Sequence, residues 1–258
     1  MTNRQATLTL IGGPTLLIEI GGFRFLTDPT FDPEGSEFPG GVTLRKTTGP
    51  ALRPDEIGPL DAVLLSHDQH ADNLDRSGRE LLPSAKATLT TPVGASRLGG
   101  NARGLAPWET AELTGSGGSK VFVTATPARH GPVGIEPIAG DVTGFAIGLE
   151  APGDAIYISG DTVWYEGVAE VAQRFRPRLV VMFAGSAETR GRFHLTMDSN
   201  DAIATASAFP EAKIIAIHNE GWEHFKESAA DLAQSFAALR LADRLVAMEK
   251  GKFVVLEV

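Results

Sequence analysis

Cysteine is absent from this sequence of 258 residues. Disulfides, thiolate zinc sites and cysteine nucleophiles are therefore excluded together, and any metal has to be held by imidazole and carboxylate groups. The sequence also has no run near the roughly 20 apolar residues that a membrane span needs. Its first residues, MTNRQATLTLIGG, lack a long apolar segment followed by a cleavage site. We therefore expect a cytoplasmic protein without a membrane span.

Basic residues are also in short supply. Lys and Arg number 23 against 32 Asp and Glu, which gives a formal net charge of -9. This charge repels a phosphate backbone, so extended nucleic acid is not an expected partner. Hydrophobic residues make up 42% and charged residues 21% of the chain, which is typical of folded proteins. Because no linker, repeat or low-complexity segment interrupts the chain, we expect a single domain over residues 1–258.

The first half of the chain has the alternation and turns of short strands. Strands are predicted at 7–12, 15–20, 23–29, 62–67 and 86–91, with Gly21-Gly22 as a hairpin turn and a short helix in RSGRELL. Residues 29–59 are rich in proline and glycine and predict a long surface loop, which we interpret as a lid over a site.

The second half repeats this alternation. Strands are predicted at 120–127, 142–150, 155–160, 178–184, 213–218 and 252–258, with helices over 165–174, from about Asp198 and from about residue 223. Each sheet has to bury one face against the other sheet and one face under helices. The predicted fold class is therefore an α/β (α+β) protein with four layers, an αββα sandwich.

The six histidines are His67, His70, His130, His194, His218 and His224. Any one of them, taken alone, is more often a hydrogen-bonded structural residue than a metal ligand. However, His67, His130 and His218 each end or follow a predicted strand, as does Asp161 after AIYISG. Functional side chains collect where strand ends meet loops on a rigid scaffold. Four strand ends thus deliver residues of the kind that binds metals.

Several of these polar residues keep a second interpretation. Asp161 in SGDT equally fits a turn or a helix cap. Asp28 in LTDPT is interpreted as a turn residue. The alternative is that it orients a ligand histidine without binding the metal itself. His194 and His224 are interpreted as structural or supporting residues rather than ligands.

A family resemblance rests on motifs that span nearly the whole chain. They are, in order, GGPTLLIEIGGFRFLTDPTF, LLSHDQHADNLD, TPARHGP, YISGDT, LTMDSNDA and IAIHNEGWEHF. With these motifs the chain resembles the metallo-β-lactamase-fold hydrolases, and the resemblance implies that family's four-layer fold. Within the superfamily, the early strand-Gly-Asp-Pro segment is similar to the branch of L-ascorbate-6-phosphate lactonase-like and N-acyl-phosphatidylethanolamine phospholipase-like proteins.

The first metal motif departs from the superfamily's H-x-H-x-D-H. This chain has His67-Asp68-Gln69-His70-Ala71-Asp72-Asn73 in its place. An alignment without gaps puts Asp68 on the first histidine, whereas a one-residue bulge makes His67 and His70 the paired ligands. We prefer the bulge, because His67 ends its strand and imidazole binds zinc-type metals better than a lone carboxylate does. Asp68 stays an alternative.

The resemblance implies one divalent metal on His67, His70 and His130, and a second on Asp72 and His218 with Asp161 bridging the two. Asn73 offers only a neutral amide where an imidazole is usual, so one or two ions are expected, with Zn or Mn as the metal. Asp72 would position or deprotonate the water, and His218 would contact the substrate or protonate a leaving group if the second metal is missing.

The expected function is hydrolysis by metal-activated water of a small or medium-sized ester, lactone or phosphodiester. One alternative is a nuclease or phosphodiesterase of the same fold, with Arg129, Arg190 and Arg192 on the phosphates. The other is a non-catalytic, degenerate metal-binding domain, which Gln69 and Asn73 would signal. Specificity is expected in residues 29–59 and 184–196, and a homo-oligomer is compatible with the sequence.

Overall fold

The computed structural model describes residues 4–258, in which strands from both halves of the chain build two large sheets. The strands are β1 (Gln5–Gly12), β2 (Thr15–Ile20), β3 (Phe23–Thr27), β4 (Glu37–Phe38), β5 (Leu44–Arg45), β6 (Ala62–Leu64), β7 (Thr88–Thr90), β8 (Ala102–Gly104), β9 (Thr110–Thr114), β10 (Lys120–Pro127), β11 (Thr143–Gly148), β12 (Ile156–Ile158), β13 (Leu179–Phe183), β14 (Lys213–Ile217) and β15 (Phe253–Glu257). The helices are α1 (Pro54–Ile57), α2 (Arg76–Leu81), α3 (Pro92–Leu98), α4 (Glu136–Ala139), α5 (Glu166–Arg174), α6 (Ser199–Ala208) and α7 (Ala229–Ala238). No helix in this range is long and apolar enough to cross a membrane.

The first sheet has seven strands in the order β15-β1-β2-β3-β6-β7-β8. β1, β2 and β3 form an antiparallel meander, and the predicted hairpin turn between β2 and β3 has Gly21 and Gly22 at φ 59° and 84°. Two successive positive φ values are the mark of the tight hairpin turns in which glycine is favoured. From β3 onward the pairing is parallel, so β3, β6, β7 and β8 end at the same edge of the sheet.

The second sheet has six strands in the order β14-β13-β12-β11-β10-β9. β12, β13 and β14 are parallel and lie at one side, and the others are antiparallel. β13 shows why its sequence, LVVMF, is apolar throughout. Leu179, Val181 and Phe183 point to the first sheet, while Val180 and Met182 face helices, so both faces are buried.

Three apolar clusters separate the layers. The largest lies between the two sheets and takes residues from nearly every strand of both. A second packs α5, α6 and α7 against the outer face of the second sheet, and a third packs α1 and α2 against the outer face of the first. The predicted four-layer αββα sandwich is therefore confirmed.

Two sequence predictions differ from the structure in detail. The segment 29–59 is not one irregular loop, because it contains the β4–β5 hairpin and α1. The helix predicted from about residue 223 begins at Ala229, where Ser228 and Asp231 form a reciprocal capping box. The preceding residues instead form a loop that carries Trp222 and His224. The helix predicted from about Asp198 does begin there, with the Asp198 side chain as its N-cap.

Candidate metal centre

The residues predicted at strand ends converge at one edge of the two sheets. His67 lies just past β6, His130 past β10, Asp161 past β12 and His218 directly after β14. His218 has φ 58°, a left-handed conformation that is rare for a residue with a side chain, and it turns the chain out of β14. Strained backbone of this kind is characteristic of functional positions.

His67, His70 and His130 form the first of two groups. His70 Nδ1 lies 2.9 Å from His67 Nε2 and 3.1 Å from His130 Nε2. Burial, together with neighbouring histidines, lowers the pKa of His67 well below its usual range and also lowers the pKa of His70, so these rings are neutral. Nitrogens bound to one tetrahedral zinc ion at 2.0–2.1 Å are about 3.3 Å apart. The spacing of this group therefore suits a single shared ion.

The hydrogen bonds behind two of these rings determine which nitrogen is free. His130 Nδ1 lies 2.8 Å from the carbonyl oxygen of Leu195, which can only accept, so Nδ1 donates and Nε2 is left without a proton. The Ser66 hydroxyl donates to Asp28 Oδ1 at 2.6 Å and therefore accepts from His67 Nδ1 at 2.9 Å. Both Nε2 atoms thus point a lone pair into the group.

Asp28 supports His67 through Ser66. Its backbone has φ 28°, which fits the turn interpretation, and its carboxylate accepts from both the backbone and the hydroxyl of Ser66. Burial raises the pKa of Asp28 to about 8, although the bonds from Ser66 oppose this. Asp28 therefore combines the two roles that the sequence left open.

Asp72, Asp161 and His218 form the second group, and all three are buried. Asp161 lies between the groups, with Oδ2 3.3 Å from His130 Nε2 and Oδ1 3.3 Å from His218 Nε2. His218 Nε2 is also 3.7 Å from Asp72 Oδ2. The structure thus brings together every residue that the sequence predicted as a ligand.

The electrostatics of the second group suit a cation. Burial alone would raise the pKa of Asp72 and of Asp161, but adjacent histidines outweigh it and hold both pKa values below their usual range. The pKa of His218 is raised, because Asp161 outweighs the effect of burial. Within residues 4–258, Asp161 Oδ2 and both ring nitrogens of His218 have no hydrogen-bond partner. Buried polar atoms are rarely left in this way, and a metal ion at this point would satisfy Asp161 Oδ2 and His218 Nε2.

The residues that depart from the family motif have other contacts. Asn73 Nδ2 donates to Asp161 Oδ1 at 3.2 Å, so the amide supports the bridging carboxylate. Gln69 accepts from the backbone of Asp68 and lines a cavity beside the first group. Asp68 itself is directed at the Arg97 guanidinium, with Nε 2.9 Å from Oδ2, and lies outside both groups.

His194 and His224 lie outside these two groups, although His194 forms a separate group of possible ligands with Asp198 and Asp201. The supporting role of both histidines stays a prediction. His194 contacts Asp201 at 3.0 Å at the first turn of α6. His224 Nε2 is 2.9 Å from Asp72 Oδ2, a contact that sequence reasoning missed. The one available signal was its position six residues after His218 in the aromatic segment GWEHF.

A cavity of about 200 Å³ opens onto the first group at His70 and His130 and onto the second at Asp72, and His224 also lines it. Most of the rest of its wall is apolar or small, and the polar exceptions are Gln69, Thr189 and Arg190. The lining comes from the β4–β5 hairpin, the segment around α4 and residues 187–195, and its apolar members are Phe38, Pro39, Val42, Leu44, Ile135, Ile138, Ala139, Ala187 and Leu195.

Known proteins resemble this chain over nearly its whole length. UPF0173 protein YddR of Bacillus subtilis (strain 168) is 24% identical over 259 residues, which cover 95% of this chain and 98% of YddR. The crystal structure of isothiocyanate hydrolase from Delia radicum gut bacteria is similar with a TM-score of 0.83 and 25% identity, covering 98% of this chain and 100% of that one. A possible metal-dependent hydrolase from Veillonella parvula DSM 2008 has the same TM-score at 23% identity and the same coverage.

The family assignment rests on a match of residues 23–219 to the Beta-lactamase superfamily domain. This range contains all six residues of the two groups and both large sheets except for β1, β2 and β15. The chain belongs to the β-lactamase superfamily domain family and has the metallo-β-lactamase fold.

Proposed function

We propose that this chain is a metal-dependent hydrolase with up to two divalent ions. His67, His70 and His130 would hold one ion, and Asp72 and His218 the other, with Asp161 between them. The observation that carries the proposal is the pair of Nε2 lone pairs on His67 and His130, directed by Ser66 and Leu195 at the same point as His70 Nδ1. The imidazole-rich first group and the carboxylate-rich second group both suit Zn or Mn.

The residues of the site suggest a division of roles in hydrolysis. A divalent ion would lower the pKa of a bound water and polarise the electrophilic group of the substrate that this water attacks. Asp72 is ionised and lines the cavity, so it would position the attacking water or accept its proton. His218, whose raised pKa favours the protonated ring, would contact the substrate or protonate the leaving group if a single ion is present.

We propose a small, largely apolar substrate. The cavity of about 200 Å³ is below the usual range for drug-sized ligands, and its walls are mostly aliphatic. Esters, lactones and isothiocyanates all present a small electrophilic carbon, and the similar solved structure is named as an isothiocyanate hydrolase. A sugar phosphate, as the lactonase-like branch suggests, is favoured less, because Arg190 is the one lysine or arginine in the described lining.

Two alternatives have weaker support. A nuclease would use the arginines as a phosphate-binding cluster, but Arg129 donates to the Gly131 carbonyl and stacks on Tyr165 outside the cavity lining. A degenerate domain would lack a complete ligand set, whereas Gln69 and Asn73 leave both groups intact.

Residues 1–258 are proposed to form one domain, because a single apolar cluster joins strands of both sheets; residues 1–3 lie outside the described range. The cytoplasmic location and the homo-oligomeric state stay predictions of the sequence.

Metal analysis combined with turnover tests the proposal. Purified protein reconstituted with Zn²⁺ or Mn²⁺ should hold one or two ions per chain and hydrolyse a phenyl ester, a lactone or an aryl isothiocyanate. His130→Ala should lose metal and reduce kcat/KM by at least about 100-fold. Mutation of a residue that only supports a metal ligand already lowers metal affinity or activity by roughly 10–100-fold, and loss of the ligand itself should lower it further. The control is His194→Gln, which changes a histidine outside the two groups. This variant should retain the metal content and the kcat/KM of the wild type.

The outcomes separate the candidates. Full metal content and activity in His130→Ala would show that the ligand assignment is wrong. Failure of the wild-type protein to bind any metal after reconstitution would favour the degenerate domain, and turnover of phosphodiesters alone would favour the phosphodiesterase.

A further inference from the structure

Asp72 has a partner that the local motif does not supply. In the metal motif the residue after Asp72 is Asn73 rather than histidine, and its amide is directed at Asp161. An ionised, buried carboxylate is costly unless hydrogen bonds or charges surround it. The partner of Asp72 comes from a residue 152 positions later, His224, whose Nε2 lies 2.9 Å from Asp72 Oδ2.

The direction of this hydrogen bond follows from the chemistry of the two groups. Asp72 Oδ2 is a carboxylate oxygen and accepts the hydrogen bond, whereas an imidazole nitrogen can donate one. His224 Nε2 therefore carries the proton and donates. Both residues are buried, with 8% of His224 and 5% of Asp72 exposed, and water does not compete strongly for this bond.

The His224 ring is held in place by its neighbours. Its centroid lies 4.6 Å from the ring of Phe225 and 6.3 Å from that of Trp222. Its carbonyl accepts from the backbone of Glu188 at 3.1 Å, which ties it to the segment that lines the opposite side of the cavity. A side chain fixed by packing on several sides can orient a ligand within the tolerance that a metal requires.

We infer that His224 is a positioning residue for the second metal subsite: its Nε2–H holds the Asp72 carboxylate beside His218 and Asp161. The inference rests on the proposed metal centre. His224 thus provides the imidazole contact that Asn73 does not, from the loop between β14 and α7 instead of from the motif itself. His224 should set the affinity of the second subsite while the first, on His67, His70 and His130, is unaffected.

Stepwise metal titration of variants tests this inference. His224→Phe keeps an aromatic ring between Trp222 and Phe225 but removes the donor, and His224→Gln keeps an amide donor. In His224→Phe the dissociation constant of the second Zn²⁺ should rise by roughly 10–100-fold, with the first unchanged. His224→Gln should recover most of the lost affinity, and His194→Phe is the matched control, which should match the wild type at both subsites.

A second measurement, nuclear magnetic resonance of the metal-loaded protein, uses the wild type and therefore does not depend on whether a variant folds. In the wild-type protein loaded with cadmium-113, His67, His70, His130 and His218 should show coupling between the metal and a ring nitrogen, whereas His224 should show none and keep its Nε2 proton.

Each outcome supports or overturns the inference. Coupling of cadmium to His224 would make it a ligand and overturn the positioning role. A wild-type protein that takes up one ion only, or a His224→Phe variant with unchanged affinity for the second ion, overturns it too and leaves the hydrolase proposal standing. A wild-type protein that binds no metal defeats the proposed function itself.

Discussion

At the scale of single residues, His67 and Asp68 show how neighbours acquire different roles. His67 turns into the first group, while Asp68 turns towards α3 and pairs with Arg97 through both carboxylate oxygens. The structure therefore favours the bulged alignment of the motif over the gapless one.

Substitutions at these two positions should separate metal binding from stability. Asp68→Asn should keep the full metal content and lower the free energy of unfolding by about 1–2 kcal/mol, a modest loss because Arg97 is 41% exposed and its charge is screened. His67→Ala should lose the first metal. Metal analysis and urea unfolding measure the two effects, and loss of metal in Asp68→Asn alone would restore the gapless alignment.

His194 contributes to the stability of the folded protein, and this contribution depends on pH. Its hydrogen bond with Asp201 raises the pKa of His194 above 6.5, against the effect of partial burial. Because the folded protein binds this proton more tightly than the unfolded chain does, the gain in stability is complete below pH 6.5 and is lost as the pH rises through the folded value.

The pH dependence of stability in His194→Gln should show that this contribution is lost as the pH rises. Wild type should exceed the variant in unfolding free energy by up to about 1 kcal/mol below pH 6.5, and the difference should shrink at alkaline pH. Thermal unfolding at several pH values measures it. A difference that grows with pH would contradict the assignment.

At the scale of elements, a buried ion pair positions the β4–β5 hairpin that walls the cavity. Lys46 follows β5, and its Nζ lies 3.0 Å from Asp75 Oδ2, the N-cap of α2, with 4% and 0% of the two side chains exposed. Burial lowers the pKa of Lys46, and Asp75 only partly offsets this. The pair therefore contributes more to the position of the hairpin than to net stability.

Breaking this pair should be costly, because it leaves the Asp75 charge buried. Lys46→Met should lower the unfolding free energy by about 3–5 kcal/mol. The matched control is Lys86→Met, since Lys86 is 72% exposed in its pair with Asp61 and should contribute below about 1 kcal/mol. Urea unfolding of both variants measures the difference, and equal losses would show that burial does not govern the cost.

At the scale of the whole molecule, the core and the metal centre are separate sources of stability. The apolar cluster between the sheets includes no residue of either metal group, so we expect the fold to persist without an ion. The metal groups, by contrast, bury carboxylates and imidazoles whose polar atoms are partly unsatisfied. An ion that binds only the folded state should stabilise it by mass action.

Removal of metal by a chelator should therefore weaken the protein without unfolding it. At a metal concentration 100 times the dissociation constant the linkage is about 2.7 kcal/mol, which corresponds to a fall in Tm of about 5–10 °C for a chain of this size. The circular dichroism spectrum should stay the same, and added Zn²⁺ or Mn²⁺ should restore Tm and activity. Unfolding on chelation would show that the core is insufficient by itself.

Local patterns in the sequence determined the layers and the kind of site. Strand alternation, apolar runs and turn glycines predicted most of the two sheets, because these signals depend on residues a few positions apart. The short elements α1, α3, α4, β4, β5, β8 and β9 were missed, since they lack a long periodic pattern. Imidazoles and carboxylates at strand ends predicted the kind of residue that would meet, and the family resemblance supplied the full set of ligands.

Only the tertiary structure decided which of these residues are partners. The turn of Asp68 to Arg97, the support of Asp161 by Asn73 and the hydrogen bond from His224 to Asp72 all depend on distances between remote segments. Local sequence patterns cannot predict these distances, because they depend on how the two sheets pack together and on where the connecting loops lie. The small apolar cavity arises in the same way, from three segments that meet only in the folded chain.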